Sequence, residues 1–277
     1  MPKVSILIPT HNRGGTILPS VESALGQTMH DVEVIVYDDG SDHMDGILVK
    51  RGRKIKIGEP TPVALSSVKD KRFKYVKNKK NHGAAFSRNQ LLKMATGEYC
   101  MWQDSDDVSN KWRVEFCLKA IEQFNAPYAR CGVATFTKDP SIWKSVPHLA
   151  YQDKVSFATT LFRRVGAIEF DERYVHCCED MDWELRMASK FGSPVFVPLS
   201  LYGIGRRSPD RLTHRFKIEE YAQEYEKDRE RYAGKVFAIT QKMNDVGKSR
   251  SPNVVPWSFI EPFIHNAYDA YYSKQAV

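Results

Sequence analysis

Residues 98–107 read Glu-Tyr-Cys-Met-Trp-Gln-Asp-Ser-Asp-Asp: a short apolar run that discharges into three aspartates within four positions. An apolar run of this length reads as a strand buried on both faces, and here the polar cluster stands at its carboxyl end. The same arrangement occurs twice upstream. Residues 4–9 (VSILIP) lead into Thr10-His11-Asn12, and residues 32–37 (VEVIVY) lead into Asp38-Asp39-Gly40-Ser41. Between them, Ile17, Leu18, Val21 and Leu25 share one helical face of residues 14–25. Residues 73–76 form a further strand, 84–95 a helix stopped by Gly97, and 110–124 another helix. Alternating strands and helices predict an α/β fold with a mainly parallel sheet flanked by helices. Ligands of such sheets bind beyond the carboxyl ends of the strands, where all three polar clusters fall.

Beyond Cys131 the pattern loosens. Residues 133–137 and 157–163 read as strands, and 180–191 as a helix entered from Cys177-Cys178-Glu179. Residues 216–235 are charged and helical in pattern, and 256–272 are aromatic and apolar. A chain of 277 residues is long for one domain. The reading is a folded body over residues 1–214 and a helical, aromatic extension over 215–277.

Composition narrows the class. Hydrophobic residues make up 42% and charged residues 27%, which excludes collagen-like and disordered chains. No apolar stretch approaches the roughly 20 residues of a membrane span, and the first residues lack the pattern of a secretory leader. Five cysteines without CxxC spacing suggest neither a disulfide framework nor a zinc knuckle. The expected location is cytoplasmic, or peripheral at the inner membrane face. The net charge of +7 is local: residues 50–80 hold twelve basic and two acidic residues, leaving −3 for the rest. This stretch is either a solvated surface loop or a contact for an anionic acceptor or nucleic acid.

Asp104, Asp106 and Asp107 repel one another unless solvent or a cation disperses their charge. Hard oxygen ligands on a tight turn suit Mg²⁺ or Mn²⁺, which binds one or two carboxylates together with substrate phosphates. With VSILIPTHN, VYDDGSD, NHGAAFSRN, ATGEYCMWQDSDD and FRRVGAIEFDERYVHCCEDMDWELRM in this order, the chain resembles the family 2 glycosyltransferases of GT-A fold over about three quarters of its length. The resemblance implies transfer of a sugar from a nucleotide-diphosphate donor to an acceptor hydroxyl, with inversion at the anomeric carbon. It also divides the body into a nucleotide-sugar half, residues 1–107, and an acceptor half, residues 108–214.

Roles carry over residue by residue as implications. Pro9, Thr10 and His11 would line the base, with His11 where an aromatic is frequent. Asp38 would accept from the uracil imide or bind ribose; Asp39 would support the turn or serve only as an Asx-type turn residue. Arg88 and Asn89, on a helix opened by small residues, would contact the nucleotide. Asp104 and Ser105 would lie beside the donor. Asp104 and Asp106 match the DxD pair, with Asp107 a further metal ligand. Asp180 would be the general base and Glu179 its alternative, or the pair would only cap the helix. Trp183 would pack in the core. Where relatives carry a metal-binding histidine after the last strand, this chain has Gly203-Ile204-Gly205-Arg206-Arg207, so His214 would substitute or the arginines would bind the diphosphate.

The absence of a QxxRW-like motif points to transfer of a single sugar. The expected donor is a UDP-hexose and the expected acceptor a saccharide or lipid-linked oligosaccharide. Two alternatives stand beside this: transfer to a hydroxylated DNA base through residues 50–80, and a non-catalytic nucleotide-sugar-binding scaffold. Donor sugar, linkage and oligomeric state are not legible.

Overall fold

The structure is a computed structural model that describes residues 1–50, 52–136, 157–174 and 179–205. Its centre is one eight-stranded sheet in the order β5-β2-β1-β6-β9-β8-β10-β7. The first half supplies β1 (Val4–Thr10), β2 (Val32–Asp38), β5 (Phe73–Lys77) and β6 (Tyr99–Trp102). These four are parallel. The second half supplies β7 (Asp107–Ser109), β8 (Tyr128–Phe136), β9 (Leu161–Arg163) and β10 (Val195–Gly205). There β8 and β10 are parallel, whereas β9 and β7 run against their neighbours. The sheet is therefore mixed, with its all-parallel part built from the first half of the chain.

Strand alternation gives the sheet two apolar faces. Val4, Ile6 and Ile8 of β1 and Val32, Val34 and Val36 of β2 pack in one cluster with α1 (Ile17–Leu25) and α4 (Arg113–Gln123). Leu7, Ile35 and Tyr37 point the other way, into a cluster with α3 (Ala84–Met94) and the helix Glu179–Phe191, here α5. Each fully buried aliphatic or aromatic side chain contributes about 1.5–3 kcal/mol. Trp183 belongs to this second cluster, stacked on Phe170 at 5.5 Å and donating its indole N–H to the Ile168 carbonyl. It fills the core, as the sequence suggests.

Register decides where the polar ends lie. Thr10 is paired with Asp38, Asp38 with Lys77, and Leu7 with Trp102, so four parallel strands finish at one edge. Gly40, with φ 69°, turns the chain there; a Cβ on it would stand 2.5 Å from the Lys80 carbonyl carbon.

Several boundaries differ from those expected. The helix predicted from residue 14 starts at Ile17, because the Gly14-Gly15 backbone is given to another contact. Residues 157–163 divide into a 3₁₀ turn, Phe157–Thr159, and the short β9, with the Phe157 carbonyl accepting from both Thr160 N–H and hydroxyl. Strand β8 begins five residues before residue 133, where Tyr128 and Ala129 pair with β9. The basic stretch is more ordered than a loop: starting at the last residue of β3 (Ile47–Lys50), it contains β4 (Arg53–Lys56), which pairs with β3 in a hairpin outside the main sheet, and the short α2 (Thr61–Leu65).

The base of that hairpin is tied down by close backbone packing: a Cβ on Gly58 would lie 2.4 Å from the Gly15 Cα. Asp45 fastens it further, accepting from Gly14 N–H at 2.8 Å and from the Thr61 hydroxyl at 3.0 Å. Cys100, Cys117 and Cys131 are free and buried. Among the described residues no helix is long and apolar enough to cross a membrane. His214, the Arg206-Arg207 pair, Cys177-Cys178 and the whole extension 215–277 lie outside the described residues.

Candidate active site

The carboxyl edge of β1 and β2 forms a web of short hydrogen bonds. His11 Nδ1 lies 3.0 Å from the Asp39 carbonyl, and its Nε2 lies 3.2 Å from Asn12 Nδ2. Both contacts are satisfied by the neutral ring protonated at Nδ1. Pro9 is half-buried beside it. Thr10 is buried, and its hydroxyl has no hydrogen-bond partner among the described residues.

Asp38, expected at the base or ribose, is wholly buried: it accepts from Ser41 N–H at 2.8 Å and from the Tyr75 hydroxyl at 2.6 Å. In this conformation its carboxylate secures the turn. Burial, reinforced by the Asp38 carboxylate, pushes the Tyr75 phenol far up, so Tyr75 stays a donor. Asp39 does more than support a turn. One of its oxygens accepts from His82 N–H and Gly83 N–H, both at 2.8 Å, and anchors the start of α3. Its other oxygen takes only a long 3.4 Å bond from Asn78.

Helix α3 sends two expected nucleotide contacts in different directions. Asn89 is buried: its amide N–H₂ donates to the Phe170 carbonyl and to Glu172, and its oxygen accepts from Phe170 N–H. It clamps residues 170–172 to α3 through both amide hydrogens and one bond to its oxygen. Arg88 sits one residue earlier. Its NH1 donates to Glu179 at 2.6 Å and its NH2 stands 4.0 Å from Asp104, while the guanidinium lies over the Phe157 and Phe170 rings. Burial opposes its charge, yet Glu179, Asp104 and Asp180 together raise its pKa above the ordinary arginine value. The arginine thus joins the strand-end aspartates to the acidic first turn of α5.

The turn after β6 is held from three sides. Ser20 of α1 donates to the Asp104 carbonyl at 3.0 Å, the Tyr202 hydroxyl of β10 accepts from Asp104 N–H at 2.9 Å, and Asp107 N–H closes onto the Asp104 carbonyl at 3.3 Å. Burial first, then the Asp107 and Asp104 carboxylates, push the Tyr202 phenol well up. Beneath it lies Arg113, wholly buried, 4.6 Å from the Tyr202 ring, with NH2 on the Trp102 and Ala158 carbonyls. Asp104 and Asp106 are half-buried; Ser105 and Asp107 are buried.

Among the described residues no group of three or more His, Cys, Asp or Glu side chains converges on a metal position. The donor set on the turn still fits a hard cation that takes one or two carboxylates and fills its other positions with water and substrate phosphate. On α5, Asp182 pairs with Arg186 at 2.7 Å, so it is held within the helix, whereas Glu179 and Asp180 face the Arg88 side.

Sequence reasoning missed Tyr202 and Tyr75, which hold Asp104 and Asp38, and Arg113, which packs against the Tyr202 ring. Tyrosines inside strands and an arginine at the first position of an amphipathic helix carry no local signal of such a role; only the fold brings them under the acidic turns.

A family model described as Glycosyl transferase family 2 matches residues 5–178. An uncharacterized glycosyltransferase of Rickettsia felis is 37% identical over 123 residues, which is 44% of this chain and 18% of that protein. The Escherichia coli UDP-Glc:alpha-D-GlcNAc-diphosphoundecaprenol beta-1,3-glucosyltransferase WfaP is 37% identical over 182 residues, 63% of this chain and 66% of that one. The chain thus spans under a fifth of the rickettsial relative and just under two thirds of WfaP. Among solved structures, Staphylococcus aureus TarS 1-349 in complex with UDP-GlcNAc has a TM-score of 0.60 at 19% identity, covering 78% of this chain and 62% of that one. The mannosyltransferase PcManGT from Pyrobaculum calidifontis, in complex with GDP-Man and Mn²⁺, has a TM-score of 0.54 at 17% identity, covering 82% and 64%. At these identities the two likenesses concern the fold.

Proposed function

Because this chain belongs to glycosyl transferase family 2, we propose that it moves one hexose from a UDP-sugar to a hydroxyl of a saccharide or lipid-linked saccharide, with inversion. The observation that carries this reading is the Arg88 bridge. Its guanidinium pairs with Glu179, stands 4.0 Å from Asp104 and feels the charge of Asp180, which supports reading Asp104 as a donor-side carboxylate and Glu179-Asp180 as the base pair. An inverting transfer needs these two groups on opposite faces of one sugar. WfaP, as its name states, uses UDP-Glc and an undecaprenol-diphosphate acceptor, and this supports a UDP-hexose and a lipid-linked acceptor here.

In the reaction, the acceptor hydroxyl loses its proton to Asp180, its oxygen bonds to the anomeric carbon, and the bond from that carbon to the diphosphate oxygen breaks. Asp180 is the base and Glu179 its alternative; Glu179 also accepts from the buried Arg88 at 2.6 Å. Pro9, Thr10 and His11 line the base, and the less engaged oxygen of Asp39 is the acceptor closest in kind to that expected of Asp38. Asp106 and Asp104 would hold a Mn²⁺ or Mg²⁺ that neutralises charge on the departing diphosphate.

The test incubates the protein with UDP-glucose, Mn²⁺ and a GlcNAc-diphospholipid, and reads UDP release and the anomeric configuration of the product by NMR. A β-linked product with one UDP per transfer is expected. An α-linked product would overturn inversion, and the absence of any stabilisation by nucleotides or nucleotide sugars in thermal shift would overturn the donor assignment.

A further inference from the structure

Residues 50–80 carry +10, more than the whole net charge of the chain, and the fold carries much of it to the edge of the sheet where the candidate site lies. Lys79 and Lys80 follow the carboxyl end of β5, beside the Asp38–Gly40 turn; a Cβ on Gly40 would meet the Lys80 backbone. The hairpin of β3 and β4 stands on the same edge, its base packed on Gly14 and Gly15 just after β1. Every residue of β4 is exposed: Arg53, Lys54, Ile55 and Lys56. Ile55 is 43% exposed between two lysines, and Val63 of α2 is 53% exposed. A two-stranded hairpin outside the sheet gains little stability alone, so its order depends on the tight backbone seat at its base.

We propose that this edge, with Arg53, Lys54 and Lys56 as its contacts and Ile55 between them, docks on an anionic bilayer surface. Clustered lysine and arginine with interspersed apolar side chains is the pattern that anionic leaflets attract. The remainder of the chain, at −3, would be repelled by the same surface, so the attraction also orients the molecule. Docking there brings the candidate site to the level of headgroups, where the diphosphate of a lipid-linked acceptor lies. That benefit rests on the acceptor reading above; the docking itself rests on charge placement. Several of the twelve cations are already committed, Arg72 to Asp70 and Lys74 to Glu33, and Lys56 meets the exposed Glu59 in a solvated pair. No salt-bridge partner lies within 4.0 Å of Arg53 or Lys54 among the described residues.

The test sediments the full chain with vesicles of phosphatidylcholine alone, and of phosphatidylcholine with phosphatidylglycerol, at about 0.1 M and about 1 M salt, where the Debye length falls from about 10 to 3 Å. Expected is binding to the anionic vesicles only, released by high salt. The variant Arg53→Gln/Lys54→Gln/Lys56→Gln should lose on the order of a hundredfold in affinity, from roughly fivefold per cation. Lys93→Gln/Lys190→Gln, exposed near the far ends of α3 and α5, should bind as the parent does. Sugar transfer to a water-soluble acceptor should be equal in all three proteins, which separates failure of docking from failure of the catalytic reading. Equal binding to neutral vesicles, unchanged binding by the triple variant, or duplex DNA binding in place of vesicle binding would overturn the proposal.

Discussion

Replacing Arg88 by methionine keeps most of the side-chain volume between the Phe157 and Phe170 rings but leaves Glu179 without its partner. The Arg88 and Glu179 side chains are only 9% and 14% exposed, so this is a buried pair. Breaking such a pair from one side costs about 3–5 kcal/mol, because the orphaned charge stays desolvated. For a body of this size, that lowers Tm by about 6–20 °C. Arg88→Met/Glu179→Gln removes both charges and should recover more than half of the loss, since a buried pair exchanged for neutral groups is often near neutral. Urea denaturation of the parent, the two single variants and the double variant closes the cycle and gives the coupling free energy directly. A parental urea midpoint for Arg88→Met, or a double variant as unstable as the worse single one, would refute the buried pair. Activity reads the second half of the claim: with the bridge gone, kcat should fall in both variants that lack Arg88, even where stability has returned.

Tyr202→Phe removes the acceptor of Asp104 N–H and should cost about 1–3 kcal/mol of stability while weakening Mn²⁺-dependent UDP binding, measured by calorimetry. Glu33, bonded to Lys74, Ser5 and Thr96, has its pKa lowered from 4.5 to about 2. Its ionised form stabilises the fold fully above about pH 4.5, and the contribution is lost as pH falls through about 2. With Lys74 about half exposed the effect is about 1–2 kcal/mol, and Glu33→Gln should flatten the acid limb of a stability-against-pH series. Gly58→Ala forces a methyl group against the Gly15 Cα and should loosen the hairpin, visible as faster amide exchange in β3 and β4 and a loss of about 1–3 kcal/mol.

The parallel half of the sheet was legible because its strands are continuous apolar runs ending in turn-forming acids, and burial on both faces permits no other pattern. The second half was less so. Strand β9 has three residues, β7 has three, and β8 starts in Tyr-Ala-Arg, where the polar residue conceals the period. The hairpin was hidden for a different reason: Arg53 to Lys56 is exposed on both faces, so it shows no alternation, and its order comes from the glycine seat at its base. At the candidate site, the sequence showed which carboxylates cluster but not which are already bonded. Asp38 and Asn89 look alike as polar residues at strand and helix positions facing a ligand; only Tyr75, Ser41 and the Phe170 backbone reveal that both are already bonded. Arg88 reads in sequence as an anion contact, and its partners prove to be the protein's own carboxylates.

The most direct measurement compares UDP release by the parent and by Asp180→Asn, with UDP affinity measured on the same samples. If Asp180 takes the acceptor proton, the turnover rate falls by about 10²–10⁴-fold while the Kd for UDP stays within about twofold. Turnover of Asp180→Asn at the parental rate, with UDP bound as tightly as before, would contradict the account.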